Sequence, residues 1–343
     1  MNGLLRFMAP SENLKSIVIV GGGTAGWLTA GIIAAEHSAN GSESDGLIDI
    51  KVTLVESPDI STIGVGEGTW PSMRSTLQKM GISETDLIRD CDASFKQGTL
   101  FKSWKTGGND AYTHPFTPPH SYASTNLAPQ WQKFSNEVSF AEAVSSQNAL
   151  MFKDLAPKQI STPEYAFHTN YGYHLDAGKF AELLRKHCVE KLGVTHLKAN
   201  VVSVKSSADG DIASLNTDSH GDISGDLFVD CSGSRALLLG DHFGVPFCSK
   251  GQFLFNDTAL ASQIPYVTDG DPIASSTLST AQTAGWIWDI GLPTRRGIGH
   301  VYSSGHTTED RAAQELLAYI TATVSPEAAA SASIRKVPFS PGH

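Results

Sequence analysis

Apolar and polar positions in the first part of the chain predict a strand, a helix and a second strand. The run from Ser16 to Val20 is apolar and rich in β-branched residues, and a helix is predicted from Thr24, after a glycine-rich turn. A polar stretch from His37 to Asp49 precedes a second strand-like run, Ile50 to Val55, which Glu56 closes. This order predicts a βαβ unit with an enlarged connection.

The middle of the chain predicts helices around an irregular insertion. Residues 57–82 indicate a loop and a short helix, and in residues 83–105 apolar positions continue at helical spacing as far as Phe95. Residues 106–170 are rich in Pro, Ser and Asn, which favours an inserted cap. The segment from Tyr173 to Val194 has a 3.6-residue pattern and predicts a long helix.

Strands dominate the rest of the sequence. They are predicted over residues 199–205, 212–215, 227–229 and, more loosely, 250–305. A helix is predicted from Thr308 to Thr321. The final segment, Lys336 to His343, is strand-like and is expected to stop without a partner, so the chain is interpreted as a fragment of a longer protein.

Composition excludes several classes of protein. The 343 residues are 40% hydrophobic and 17% charged, with 32 Gly and 16 Pro, which describes a globular protein rather than a disordered, collagenous or coiled-coil one. The net charge of −10 predicts neither a nucleic-acid nor a membrane partner, because both surfaces are anionic. Four widely spaced cysteines indicate no disulfide scaffold and no metal site, which favours the reducing cytoplasm.

An uncharged run from Ile17 to Ala35 is long enough to resemble a signal peptide or a membrane span. A triple glycine at Gly21–Gly23 interrupts it, which suits a turn between strand and helix better than a helix in lipid. We therefore interpret the run as the start of a nucleotide-binding domain.

The turn matches the GxGxxG pattern of dinucleotide-binding proteins. Such a turn needs a tight bend, a close backbone approach to pyrophosphate and close packing of the helix on the strand. The residues expected to contact the cofactor here are Gly21, Gly23, Thr24, Ala25 and Gly26. Glu56, at the end of the second strand, is expected to accept hydrogen bonds from a ribose, although it could also be a solvated strand-end carboxylate.

The second half of the chain favours FAD over NAD. After the helix predicted from Tyr173, a strand with Val201 and the sequence Asp230-Cys231-Ser232-Gly233 return to the nucleotide domain, as in large flavoprotein oxygenases. The predicted fold is α/β, a Rossmann-like FAD domain of the flavoprotein monooxygenase type with an interleaved substrate-side sheet and cap. Its FAD-binding domain is assigned to residues 1–105 and 171–245, and its substrate and cap region to 106–170 and 246–343.

Five ordered motifs resemble those of the flavin-dependent tryptophan halogenase family. The opening Gly21–Trp27 and the strap Gly64–Pro71, similar to GVGEAT-x-P, come first. The others are Phe95-Lys96 followed by Phe101 and Trp104, then Tyr173-His174-Leu175-Asp176, and Gly285–Ile290, which contains WxWxI. The match runs over essentially the whole chain.

The resemblance implies an oxidoreductase that uses reduced FAD, O2 and a halide, chloride or bromide, to halogenate an indole-like or other electron-rich arene. A hypohalous oxidant would reach Lys96, the implied catalytic residue, which would pass electrophilic halogen to the substrate. In the strap, Ile63 and Gly66 would contact the flavin, as would Val201. Otherwise Lys96 would be a surface lysine packed beside Phe95.

The family pattern also implies roles for aromatic residues. Trp286 and Trp288 alternate on a strand and would separate flavin from substrate, unless they are core residues. His114 and Phe116 would contact the substrate ring, unless they only pack within the cap. Glu67 in the strap would either form a structural hydrogen bond or have a catalytic role. Because no second GxGxxG for NADPH is present, a separate flavin reductase is the implied partner.

The chain departs from the family at four places. Gly68 stands where alanine is usual, Trp70 stands where a small β-branched residue is usual, the polar segment 38–49 is an unusual insertion, and no EPLE-like segment is present. The alternatives are a flavin monooxygenase of the same fold, which needs neither halide nor lysine, and an FAD-binding fragment without activity. The sequence leaves the substrate, the halide and the oligomeric state open, a homodimer being one arrangement.

Overall fold

A computed structural model describes residues 14–37, 50–60, 64, 67–268 and 270–343. Ile63 and Gly66 lie outside the described residues, as does the polar stretch 38–49. The strands are β1 Ser16–Val20, β2 Lys51–Glu56, β3 Glu67–Gly68, β4 Ser94–Lys96, β5 Gly98–Lys102, β6 Ala111–Pro115, β7 Gly172–Leu175, β8 Thr195–Lys198, β9 Val201–Ser206, β10 Ile212–Thr217, β11 Gly221–Ser224, β12 Leu227–Asp230, β13 Thr258–Pro265, β14 Thr277–Gln282, β15 Gly285–Gly291, β16 Arg295–Tyr302 and β17 Arg335–Pro338.

The helices range from 4 to 15 residues in length. They are α1 Thr24–His37, α2 Ser72–Lys79, α3 Glu84–Asp90, α4 Ala128–Trp131, α5 Phe140–Val144, α6 Gln147–Phe152, α7 Ala177–Glu190, α8 Glu309–Thr323 and α9 Pro326–Ala330. No helix among the described ranges is both long and apolar enough to cross a bilayer.

The chain divides into two compact units. The first takes residues up to 62, 79–81 and 181–246, and the second takes 63–78, 82–180 and 247–343. Residues 82–105, which the sequence assigned to the FAD domain, fall in the second unit, where β5 pairs with β14 and β6. The assignment of the FAD and substrate regions as functional domains stays a prediction.

The first unit contains a parallel four-stranded sheet in the order β12-β1-β2-β8. Its central strands are almost wholly buried because apolar β-branched residues face helices and neighbouring strands on both sides. An antiparallel sheet, β11-β10-β9, completes the unit. The predicted βαβ opening, with β1, α1 and β2, is confirmed, and so is the α/β fold class.

The second unit is built on a seven-stranded sheet in the order β17-β13-β16-β15-β14-β5-β6. Helix α8 packs on this sheet and buries Leu316 and Ile320 against Ile287 and Ile298. Thr308 caps the helix, since its side chain accepts a hydrogen bond from the N–H of Arg311 at 3.3 Å. A smaller sheet, β3-β7-β4, carries Lys96 at the end of β4.

Two predicted helices are wrong at one end. Helix α3 ends at Asp90, and Phe95 lies in β4, because Asp92 adopts a left-handed conformation with φ of 51° that breaks the helix. The helix predicted from Tyr173 begins only at Ala177, after strand β7. Its start is fixed by Asp176, whose carboxylate accepts the N–H groups of Gly178 and Lys179, both at 3.0 Å.

The expectation that the last strand has no partner is also wrong. Strand β17 pairs antiparallel with β13, from Thr258 opposite Pro338 to Ala261 opposite Arg335. Beyond it, Gly342 bridges to Ser249. The segment gains a partner from 70 or more residues earlier, which a local pattern does not reveal.

Candidate active site

The glycine-rich turn has the shape that a dinucleotide requires. Gly21 has φ of +118°, and a Cβ there would lie 2.1 Å from the carbonyl oxygen of Cys231. At Gly26 a Cβ would lie 1.9 Å from the carbonyl oxygen of Gly21, so helix and strand need glycine to approach this closely. Around Gly23, in contrast, no atom lies within 4 Å of a Cβ position, which leaves its backbone open to a ligand.

Three further features of the first unit suit FAD. Thr24 and Ala25 form the first turn of α1, whose N-terminal N–H groups can face a pyrophosphate. Glu56 ends β2, and its Cγ is 2.2 Å from the Cβ position of Gly22, so its side chain lies across the turn. Val201 begins β9 and packs against an apolar core of the same unit. The residues present therefore fit the cofactor that the sequence predicts.

Lys96 belongs to one face of the small sheet β3-β7-β4. His174 of β7 lies opposite both Gly68 and Ser94, and directly opposed residues of antiparallel strands share a face. Lys96 shares that face because it lies two residues after Ser94 on the same strand. We call this the amine face, and it consists of Gly68, Ser94, Lys96 and His174.

The amine of Lys96 lies among aromatic rings and has no acidic partner. Its Nζ is 5.6 Å from the ring centre of Phe116 and 5.9 Å from that of Trp70, and the two rings are 5.4 Å apart. No hydrogen bond or ion pair to Nζ is formed within the described ranges. Burial lowers the pKa of Lys96 below its ordinary value. Lys96 is half-buried, and the neighbours of its amine are Trp70 and Phe116 rather than Phe95.

Glycine at position 68 leaves the space that this amine occupies. A Cβ at Gly68 would lie 2.8 Å from Nζ of Lys96 and 3.5 Å from Cδ2 of His174. A methyl group would displace the flexible end of the lysine at little cost in energy. The glycine that departs from the family pattern thus helps to determine where the amine lies.

His174 is a fully buried neighbour of Lys96 to which the sequence assigned no role. Its Nε2 is 2.8 Å from Oγ1 of Thr277, and its Nδ1 has no hydrogen-bond partner among the residues described. Burial, with the nearby Lys96 charge, lowers the pKa of His174 well below its ordinary value. The imidazole is therefore neutral, and it adds no positive charge beside Lys96.

The opposite face of the small sheet, the tyrosine face, carries Phe95 and Tyr173. There the buried carboxylate of Glu84 accepts a hydrogen bond from the Tyr173 hydroxyl at 2.6 Å and one from Tyr171, and pairs with Lys158 at 2.5 Å. Burial raises the pKa of Glu84, but these hydrogen bonds outweigh it and the net shift is downward. This cluster is charged, paired and satisfied, unlike the amine face.

A cavity of about 1160 Å³ lies in the second unit, and it shares Trp70 and Phe116 with the surroundings of the Lys96 amine, although Lys96 itself does not line it. His114 and Phe116, the predicted substrate residues, both line it, and so does Trp70. Its wall is mainly aromatic and aliphatic, with further side chains from Tyr112, Tyr122, Trp131, Phe140 and Val144. Such a lining suits a flat apolar molecule with few polar groups.

Buried amides fix the position of Phe116. The N–H of Phe116 donates to the carbonyl of Gln97 at 2.9 Å, and the N–H of Thr117 donates to Oε1 of Gln147 at 2.8 Å. Gln147 in turn donates to Oε1 of Gln97 at 3.2 Å, and both glutamines are fully buried. The residue following Lys96 therefore helps to hold the aromatic wall of the cavity. A polar residue directly after Lys96 was the only sequence signal for it.

Trp286 and Trp288 lie on the same side of β15, as the alternation predicts, with ring centres 6.4 Å apart. Trp288 is buried against Ala259, Ala261 and Ile290, so it is a core residue. Its indole Nε1 has no partner within the described ranges. A role for the pair in separating flavin from substrate stays a prediction.

Glu67 of the strap is half-buried, and burial raises its pKa. It lies opposite Leu175 in the small sheet. Within the described residues, no group of three or more His, Cys, Asp or Glu side chains is arranged to hold a metal ion.

Residues 16–342 match the family profile of the tryptophan halogenases. The chain belongs to the tryptophan halogenase family. Among curated members, tryptophan 7-halogenase RebH of Lentzea aerocolonigenes is 34% identical over 322 residues, which cover 89% of this chain and 58% of RebH. Tryptophan 6-halogenase SttH of Streptomyces toxytricini is 35% identical over 340 residues, or 93% of this chain and 62% of SttH.

Solved structures support the same membership. A crystal structure of a tryptophan halogenase from Shewanella frigidimarina matches with a TM-score of 0.90 at 52% identity, covering 96% of this chain and 63% of that one. Tar14, a tryptophan C-6 flavin-dependent halogenase from taromycin biosynthesis, matches with a TM-score of 0.83 at 33% identity, with 94% and 62% covered. The chain spans about three fifths of the length of these tryptophan halogenases.

Proposed function

We propose that this protein is an FAD-dependent halogenase that acts on an indole-like or other electron-rich arene. The observation that carries the proposal is the desolvated amine of Lys96, which has no pairing partner among the described residues and lies next to Trp70 and Phe116, two rings of an aromatic-lined cavity. A lysine in an apolar site loses its proton more readily than one in water, which makes the amine a nucleophile. Family membership supports the same reaction.

FAD would be held at the glycine turn by Gly21, Gly23, Thr24, Ala25 and Gly26, with Glu56 on the ribose; Ile63, Gly66 and Val201 are proposed as further contacts. When bound and reduced, it supplies with O2 the oxidising equivalents that convert halide to hypohalous acid. The protein's own contribution lies on the amine face. A neutral Lys96 amine displaces hydroxide from the halogen, forms an N–halogen bond and releases water with one of its protons. Alternatively, a protonated Lys96 donates a hydrogen bond that polarises hypohalous acid.

Transfer to the arene completes the balance. The halogen leaves nitrogen as an electrophile, the ring carbon loses a proton, and the amine regains one. His114 and Phe116 are proposed to hold the arene in the cavity, where the fixed backbone of Phe116 sets its distance from Lys96. Trp286 and Trp288 are proposed to keep flavin and substrate apart. A separate flavin reductase is the proposed partner, and the cytoplasm the proposed location.

The test is a product assay with the full chain. The protein is incubated with a flavin reductase, FAD, NADH, bromide or chloride and a panel of indoles, and products are examined for halogen isotope patterns. We expect halogenated indoles from the wild type and from Lys51→Ala, an exposed control, and none from Lys96→Ala. Hydroxylated products that persist in Lys96→Ala would instead indicate a monooxygenase. Bound FAD with no halide-dependent product would indicate an FAD-holding module.

A further inference from the structure

A histidine of the first unit touches the carboxylate expected to bind ribose. His196 lies on β8 opposite Leu54 of β2, and Glu56 follows Leu54 by two residues, so all three side chains share one face of the parallel sheet. The Nε2 atom of His196 is 2.7 Å from Oε2 of Glu56. We propose that His196 is a positioning residue that fixes Glu56 for the adenosine ribose of the cofactor. The proposal rests on the FAD site assigned above.

The imidazole itself has little freedom. Its ring packs edge-on against Trp27, with centres 4.9 Å apart and planes at 75°. Trp27 is buried in α1, the helix that begins at the glycine turn. The same helix therefore presents its N-terminus to the cofactor and holds the histidine that orients the carboxylate.

The carboxylate is fixed from the other side by the turn. The Cγ, Cδ and Cβ atoms of Glu56 all lie within 2.7 Å of the Cβ position of Gly22, so any larger residue at Gly22 would push the side chain away. In the part of the chain that the structure describes, Oε2 accepts from His196 and Oε1 has no partner. One oxygen is therefore held by the protein, and the other is available to ribose hydroxyls.

Charge around His196 determines which way the hydrogen bond runs. Burial lowers the pKa of His196, the hydrogen bond and charge of Glu56 oppose this, and Arg185 and Lys198 lower it further. A neutral imidazole can satisfy a carboxylate only by donating, so its proton must lie on Nε2. Glu56 thereby keeps its direction without an ion pair that would compete with the ribose.

The test compares three variants by nucleotide affinity, which needs no turnover. His196→Leu removes the donor, His196→Gln retains an amide N–H near the Nε2 position, and Glu56→Gln alters the acceptor itself. FAD affinity is measured by quenching of flavin fluorescence. ADP and 2′,3′-dideoxy-ADP, which lacks the ribose hydroxyls, are then compared as competitors. Thermal unfolding verifies that each variant is folded.

We expect His196→Leu to weaken the binding of FAD and of ADP by about tenfold, equivalent to about 1.4 kcal/mol at 25 °C. The affinity for the dideoxy compound should stay unchanged. His196→Gln should recover most of that loss. Equal losses for ADP and its dideoxy analogue would overturn the proposal, because they would indicate general loss of packing. The preference for ADP over 2′,3′-dideoxy-ADP separates the remaining outcomes. If this preference is unchanged in His196→Leu but reduced in Glu56→Gln, only the histidine's role is overturned. If it is unchanged in both variants, the ribose site is overturned as well.

Discussion

Lys96 and Lys158 lie on opposite faces of the small sheet β3-β7-β4, and they differ in whether a carboxylate pairs with them. Lys158 lies 5.5 Å from the ring centre of Tyr171 and 6.0 Å from that of Phe95, much as Lys96 lies beside Phe116 and Trp70. Lys158, however, pairs with the buried Glu84, and the described residues give Lys96 no carboxylate. Aromatic neighbours are therefore common to both lysines. Burial lowers the pKa of Lys96, and no carboxylate among the described residues opposes that shift.

The largest effect on the free energy of unfolding is expected at the Lys158–Glu84 pair of the tyrosine face. The Lys158 side chain is 9% exposed and that of Glu84 is 2% exposed, so Lys158→Met leaves a buried carboxylate without its cation. Removing one member of such a pair should cost about 3 kcal/mol in free energy of unfolding, the low end for buried pairs because the tyrosine hydroxyls still donate. Urea unfolding measures it. The control is Lys205→Met, at an exposed pair with Asp222, which should cost less than about 1 kcal/mol.

A Lys158→Met variant as stable as the Lys205→Met control would show that the two faces do not differ in this way. Retained halogenation in a folded Lys158→Met variant would sharpen the contrast, since only the amine face should take part in chemistry.

Lowering the pH should destabilise the fold through the same cluster around Glu84. The pKa of Glu84 is lowered in the folded state, so its contribution is complete above its unfolded value of about 4.3 and is lost as the pH falls through the folded value. Between pH 6 and 3 the wild type should therefore lose more unfolding free energy than Glu84→Gln. Parallel pH curves for the two proteins would contradict this account.

The smallest change in stability is expected on the amine face. Because burial lowers the pKa of Lys96, its ammonium form destabilises the fold at neutral pH. Lys96→Met keeps an apolar stem and removes that charge, so stability should stay the same or rise by up to about 1 kcal/mol. The measurement is again urea unfolding. A loss comparable to that of Lys158→Met would mean that Lys96 has a stabilising partner.

Local sequence patterns predicted the parts of the fold that local forces determine. The opening strand, the glycine turn and helix α1 follow from an apolar run and from two positions, Gly21 and Gly26, where only glycine fits. The spacing of Leu87, Cys91 and Phe95 suggested a continuing helix, but the left-handed Asp92 ends it. The spacing of apolar residues does not predict where the backbone leaves the helical conformation.

The contacts that distinguish the two lysines join distant residues. Lys158 and Glu84 are 74 positions apart. Lys96 ends β4, and it lies beside the ring of Phe116, which follows β6. Family motifs located Lys96, Phe116 and His114, but only the pairing of β3, β7 and β4 brings Gly68 and His174 beside the amine. The sequence thus indicated candidate residues but not the contacts that determine their protonation.

The central claim is that the Lys96 amine loses its proton more easily than an ordinary lysine. The direct measurement is competitive acylation of the folded protein over a range of pH, with the extent of modification of each lysine-containing peptide read by mass spectrometry. The account predicts that the labelling of Lys96 rises at a lower pH than that of the exposed Lys51 and Lys186 in the same sample. A midpoint for Lys96 equal to or above theirs would contradict it.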